Sequence, residues 1–149
     1  MKISSRLKNV RRIFLDTAPV IYYVEKNPDY LDRVQVVFES LDAGNLAGAA
    51  SAVTLSECLV LPYRLNKPEI AQAFIHILGS SSNIDFVALD EQVASRAADL
   101  RARYNLTLPD AFQVAAALTA ECDAFLTNDD TLKRVTELNV IVLDETEAG

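Results

Sequence analysis

Tryptophan is absent from this 149-residue chain, histidine and methionine occur once each, cysteine twice, and glycine and proline together only nine times. The two cysteines, Cys58 and Cys122, lie in apolar segments without ligand spacing. They exclude a disulfide scaffold and a thiolate metal site, and fit small buried hydrophobes in a reducing cytosol. The single histidine, His76, stands between Ile75 and Ile77 on a core-like helix, so it reads as structural and the chemistry must proceed without it. So little glycine and proline, with no repeat or biased tract, excludes a linker-rich or low-complexity chain. No apolar run approaches the roughly 18 residues that span a bilayer. The start is basic, but Asp16 and Pro19 interrupt the first apolar run, which makes a poor secretory signal. A soluble, cytoplasmic protein without a membrane partner is expected.

Half of the residues are hydrophobic and 23% are charged, with a formal net charge of −7. A chain of this length fits one domain that buries roughly 70% of its unfolded surface. The charge is unevenly placed. Residues 1–12 carry Lys2, Arg6, Lys8, Arg11 and Arg12 and no acid, leaving 9 bases against 21 acids in the other 137 residues. The chain therefore divides into a basic N-terminal arm, 1–12, and a domain, 13–149. So acidic a body argues against a general polyanion binder. It admits nucleic acid as a substrate only where metal ions or local bases offset the acids.

Short apolar runs alternate with helical spacing. Ile13–Leu15, Leu46–Ser51, Ile84–Leu89, Asp123–Thr127 and Val140–Leu143 read as strands. Between them, helices are predicted from Thr17, Pro28, Thr54, Pro68, Asp90, Leu108 and Asp130. Alternating strands and helices specify an α/β fold: a single domain with a central parallel sheet of about five strands and helices on both faces.

Four acids recur at comparable places. Asp16 ends the first strand, Glu57 and Asp110 lie near helix starts, and Asp129 follows the fourth strand. Singly, each has an ordinary explanation. Asp110 suits a first helical turn behind Pro109, Thr54-x-x-Glu57 matches a capping box, and Asn128, Asp129 or Asp130 suits a helix cap. Together they gather at the carboxyl edge of a parallel sheet, where ligands bind. Crowded carboxylates must take up protons or be neutralised by cations. Hard divalent ions with oxygen ligands, Mg²⁺ or Mn²⁺, serve that purpose, and two such ions would activate water against a phosphodiester.

Asp16-Thr17, Thr54-Leu55-Ser56-Glu57, Pro109-Asp110-Ala111 opening an Ala-rich helix, and Thr127-Asn128-Asp129 together resemble the PIN domain, in particular its VapC-type toxins. The resemblance runs from about Ile13 to Leu143. It implies a Mg²⁺- or Mn²⁺-dependent endoribonuclease with Asp16, Glu57, Asp110 and Asp129 as catalytic metal ligands, supported by Thr17, Thr127 and Asn128. Asp130, where the family often has another acid, shares or takes the fourth place. The resemblance also implies a cognate antitoxin and a homodimer, for which Tyr22, Tyr23, Leu61 and Tyr63 offer apolar surface. Arg64, Lys67, Lys133, Arg134 and the basic arm are candidate RNA contacts. An aspartyl-phosphate phosphatase would need an acid where Ala18 stands, and a receiver domain a lysine near Val142-Leu143-Asp144. A non-catalytic protein- or RNA-binding module on the same fold is the remaining alternative.

Overall fold

Strands that lie inside a doubly covered sheet must be apolar on both faces, and the first strand shows how this chain meets that demand. In the computed structural model, which describes residues 1–149, β1 is Arg12–Leu15. Ile13 and Leu15 enter one hydrophobic cluster and Phe14 the opposite one. The same alternation divides Ala50 from Ala49 in β2 (Ala47–Ser51) and Leu126 from Phe125 in β4 (Ala124–Thr127). With β3 (Ile84–Val87) and β5 (Asn139–Val142) the strands form one sheet, all parallel, in the order β3-β2-β1-β4-β5. Phe14 stacks on Phe125 across the β1–β4 pair at 5.2 Å.

Helices α1 (Ile3–Arg6), α2 (Thr17–Val24), α3 (Leu31–Asp42), α4 (Ala52–Arg64) and α5 (Pro68–Ser80) supply the first cluster. Helices α6 (Glu91–Tyr104) and α7 (Leu108–Thr119) supply the second. Small residues allow close layers: a Cβ on Gly48 of β2 would meet Leu41 Cδ2 at 3.1 Å. Both cysteines are free and buried. No helix is long and apolar enough to cross a membrane.

Several boundaries differ from the sequence expectation, each for a local reason. The helix expected from Pro28 begins at Leu31, because the Asn27 side chain takes the Asp29 N–H and holds a turn at 28–30. The helix expected from Thr54 begins at Ala52, where Ser51 caps it and Thr54 completes the capping box. Glu57 is thus well inside α4 and caps nothing. The last expected helix is only a 3-10 turn, Asp130–Arg134, and a second one, Leu143–Glu145, was not foreseen. His76 is exposed, at the rim of a cleft with Tyr23 and Phe38, and is no core residue. The first residues are fastened down: Ile3 is fully buried, its N–H donates to the Glu147 carbonyl at 2.8 Å, and Arg6 reaches the Val140 carbonyl at 3.2 Å.

Candidate metal centre

The strand order reverses its direction of travel at β1, with β2 and β4 on its two sides, and a crevice opens at the carboxyl end of such a switch point. Leu15 pairs with Leu126, so the next residues, Asp16 and Thr127, emerge side by side. The Thr127 hydroxyl donates to Asp16 Oδ2 at 2.7 Å and accepts the Asp129 N–H at 3.0 Å. One buried hydroxyl therefore ties the first acid to the loop that carries the last.

Glu57, on the sixth position of α4, accepts a 2.6 Å hydrogen bond at Oε1 from the Thr17 hydroxyl. Asp110 lies in the first turn of α7, behind Pro109, with the Thr107 side chain capping its N–H at 3.3 Å. Asp129 caps the 3-10 turn through Oδ1, which accepts from the Thr131 N–H at 3.0 Å and its hydroxyl at 2.8 Å. That cap engages Oδ1 alone, so the other carboxylate oxygen would remain for an ion.

Burial and neighbouring charge act together on two of the four acids. Burial pushes the Asp16 carboxyl above its ordinary 3.8, and the charge of Asp110 adds to the rise, while Thr127, the Thr17 backbone and Gln113 oppose it. Burial likewise raises Asp110, with the charges of Asp129 and Glu57 adding and Thr107 opposing. Asp130 contributes to neither shift and lies exposed in the turn. No three acidic side chains close on a common centre. Glu57 leans on Thr17 and Asp129 on Thr131, so an ion here would draw its other ligands from water and substrate, as Mg²⁺ commonly does. The donor set is otherwise apt: the carboxylates of Asp16, Glu57, Asp110 and Asp129 offer hard oxygens.

One residue of the site escaped the sequence reading. Gln113, one turn beyond Asp110, is 1% exposed. Its amide donates to Thr54 Oγ1 at 2.8 Å and to Asp16 Oδ1 at 3.4 Å, and its carbonyl accepts from Ser51. Thr54 in turn donates to the Leu15 carbonyl at 3.2 Å. The signal was present: a lone amide in a run of buried alanines must find partners. The basic candidates divide. Arg64 and Lys67 are exposed, whereas Lys133 pairs with Glu145 at 2.5 Å and Arg134 donates to the Asn105 carbonyl at 3.2 Å.

A family profile described as the PIN domain matches residues 13–138. No curated protein matches the chain. Similar solved structures include VapBC2 of Rickettsia felis bound to a fragment of its promoter DNA, at TM-score 0.69 and 20% identity over 88% of this chain and 98% of that one. A toxin–antitoxin complex of Klebsiella pneumoniae matches with TM-score 0.65 and 20% identity over 88% and 97%. VapC20 of Mycobacterium tuberculosis, a sarcin-ricin loop cleaving toxin, matches with TM-score 0.64 and 16% identity over 76% and 86%. At these identities the likeness is one of fold.

Proposed function

The chain belongs to the PIN domain family, and on that premise we propose that it is a nuclease: a Mg²⁺- or Mn²⁺-dependent endoribonuclease acting as the toxin of a toxin–antitoxin pair. The observation that carries this reading is the placement of Asp16 and Thr127 side by side at the carboxyl ends of β1 and β4, with the carboxyl groups of Asp16 and Asp110 raised by burial first and by the charge of neighbouring acids second. A bound divalent ion would neutralise that charge, lower the pKa of an attacking water and steady the leaving oxygen. The protein's part is orientation. Thr127 and Gln113 fix the two oxygens of Asp16, Thr17 holds Glu57, and the Pro109-led turn presents Asp110. Asp129, whose charge acts on Asp110, is the fourth ligand in preference to Asp130.

Arg64 and Lys67, exposed at the far end of α4, are free to meet RNA phosphates. Lys133 and Arg134 would first have to release Glu145 and the Asn105 carbonyl. The antitoxin and a second copy of the chain are partners of the same reading, supported by the toxin–antitoxin assemblies among the fold relatives. Val60, Leu61 and Tyr63 on α4 and Leu65 just beyond it are each about half exposed or more, an apolar surface that suits a protein partner.

The test is cleavage of a labelled single-stranded RNA panel with Mg²⁺, with Mn²⁺ and with EDTA, beside an Asp16→Ala/Asp110→Ala double variant. Metal-dependent cuts missing in the variant are expected. Absence of both cleavage and Mn²⁺ binding in the wild type would instead make the protein a binding module.

A further inference from the structure

The loop that carries the fourth acid is held by a closed ring of side chains. Asn128 stands between Thr127, which holds Asp16, and Asp129, and both ends of its amide are engaged. Oδ1 accepts the Asp144 N–H at 2.9 Å, and Nδ2 donates to the Tyr22 hydroxyl oxygen at 3.2 Å. A backbone N–H can meet only the oxygen of that amide, so its orientation is fixed. The Tyr22 ring stacks on Tyr30 at 4.2 Å with 7° between planes, and the Tyr30 hydroxyl returns to Asp144 Oδ1 at 2.6 Å. Arg33 locks the circuit from outside. Its guanidinium lies 4.7 Å from the Tyr30 ring centre and donates to the carbonyls of Leu143 at 2.7 Å and Thr146 at 3.1 Å.

Tyr22 belongs to α2, Tyr30 is the residue that precedes α3, which carries Arg33, and Asp144 lies in the 3-10 turn Leu143–Glu145, beyond the 13–138 stretch of the family match. Asn128, Asp129, Asp130, Asp144 and Glu145 line a cleft of about 330 Å³ directly behind the fourth acid. The ring sits at the edge of the molecule, with Tyr22, Tyr30 and Asn128 partly exposed and Asp144 exposed. Loss of one of its hydroxyls removes no core packing. What it does fix is the path of the backbone from Thr127 to Asp129.

We infer that Tyr22, Tyr30 and Asp144 are positioning residues, which act through Asn128 to hold Asp129 at the ion-binding edge. The inference rests on the metal-nuclease reading above. Groups that orient metal ligands in this way cost about 10–100-fold in metal affinity or activity when removed. Tyr30→Phe keeps the stack and deletes the hydroxyl, Tyr22→Phe deletes the acceptor for Asn128, and Asp144→Ala deletes the acceptor for Tyr30. Asp144→Asn keeps an oxygen for Tyr30.

The experiment measures Mn²⁺ affinity by isothermal titration, kcat and KM on the RNA cut by the wild type, and thermal stability for each variant. Tyr30→Phe, Tyr22→Phe and Asp144→Ala are expected to weaken Mn²⁺ binding and lower kcat by about 10-fold, the low end of that range. KM stays within about twofold, and Asp144→Asn restores both losses. Folded Tyr30→Phe and Tyr22→Phe variants with wild-type kcat and Mn²⁺ affinity would overturn the assignment while the nuclease stands. An Asp144→Asn variant as impaired as Asp144→Ala would also overturn it, because charge and not the hydrogen bond would then matter. A wild type that neither binds Mn²⁺ nor cuts RNA would remove the nuclease reading itself, and the positioning role with it.

Discussion

Asp110 pulls stability and activity in opposite directions. Its folded-state pKa is raised, first by burial and then by Asp129 and Glu57. A carboxyl raised in this way leaves the fold unpenalised below its ordinary 3.8. As pH rises through the folded-state value, the unfolded chain gains the charged form more readily and stability is lost. Asp110→Asn should therefore raise the Tm of the metal-free protein at pH 7, and the gain should vanish below pH 3.8 and shrink in excess Mg²⁺. The same variant should lose on the order of a hundredfold in cleavage rate, or about 2.7 kcal/mol. Unaltered cleavage by a folded Asp110→Asn protein would refute its role. Gln113→Leu leaves the buried Ser51 hydroxyl without its acceptor, at a cost of about 1–3 kcal/mol for the unsatisfied group, readable from a urea melt. The cysteines are quiet by contrast. Burial pushes both thiols up to about 12, so a thiol reagent at pH 8 should label Cys58 and Cys122 only after unfolding.

At the level of elements, two helix caps separate stability from function. Thr107 caps α7, which carries Asp110, and Asp90 caps α6 by accepting the Val93 N–H at 3.0 Å. Replacing either by alanine should cost about 0.5–2 kcal/mol, measured by denaturant unfolding. Only Thr107→Ala should also lower cleavage, because only α7 presents an acid to the crevice. The strands were legible in the sequence because burial on both faces leaves short, wholly apolar runs such as Ile13-Phe14-Leu15. The start of α4 was misjudged because Thr54 and Glu57 imitate a capping box, while the true cap, Ser51, is also the last residue of β2. Asp16, Asp110 and Asp129 were legible from their places after a strand or at a helix start, whereas Glu57 lies inside α4. Their supports were not, since Gln113 meets Thr54 across 59 residues of chain and Tyr30 meets Asp144 across 114.

Across the whole molecule, the two ends of the chain are joined. The Glu147 N–H donates to the Met1 carbonyl at 2.9 Å, Lys2 bridges Glu147, and Ile3 fills the cluster beneath α3 and β5. The basic first residues thus contribute an apolar anchor along with their charge. Ile3→Ala should cost about 2–5 kcal/mol, as for other fully buried isoleucines, while Lys2→Ala stays within about 0.5 kcal/mol, both measured by chemical denaturation. Equal effects would mean that Ile3 is not anchored.

The ring around Asn128 sets an order of events during synthesis. Asp16 is made early, yet Thr127, which holds it, comes more than a hundred residues later, and Asp144, whose N–H fixes the Asn128 amide, later still. Domains fold as units as the chain leaves the ribosome, and this one lacks the fastening of Asn128 until residue 144 is free. In a nascent chain the loop of Asn128 and Asp129 therefore stays unfastened until β5 and the 3-10 turn after it have been made.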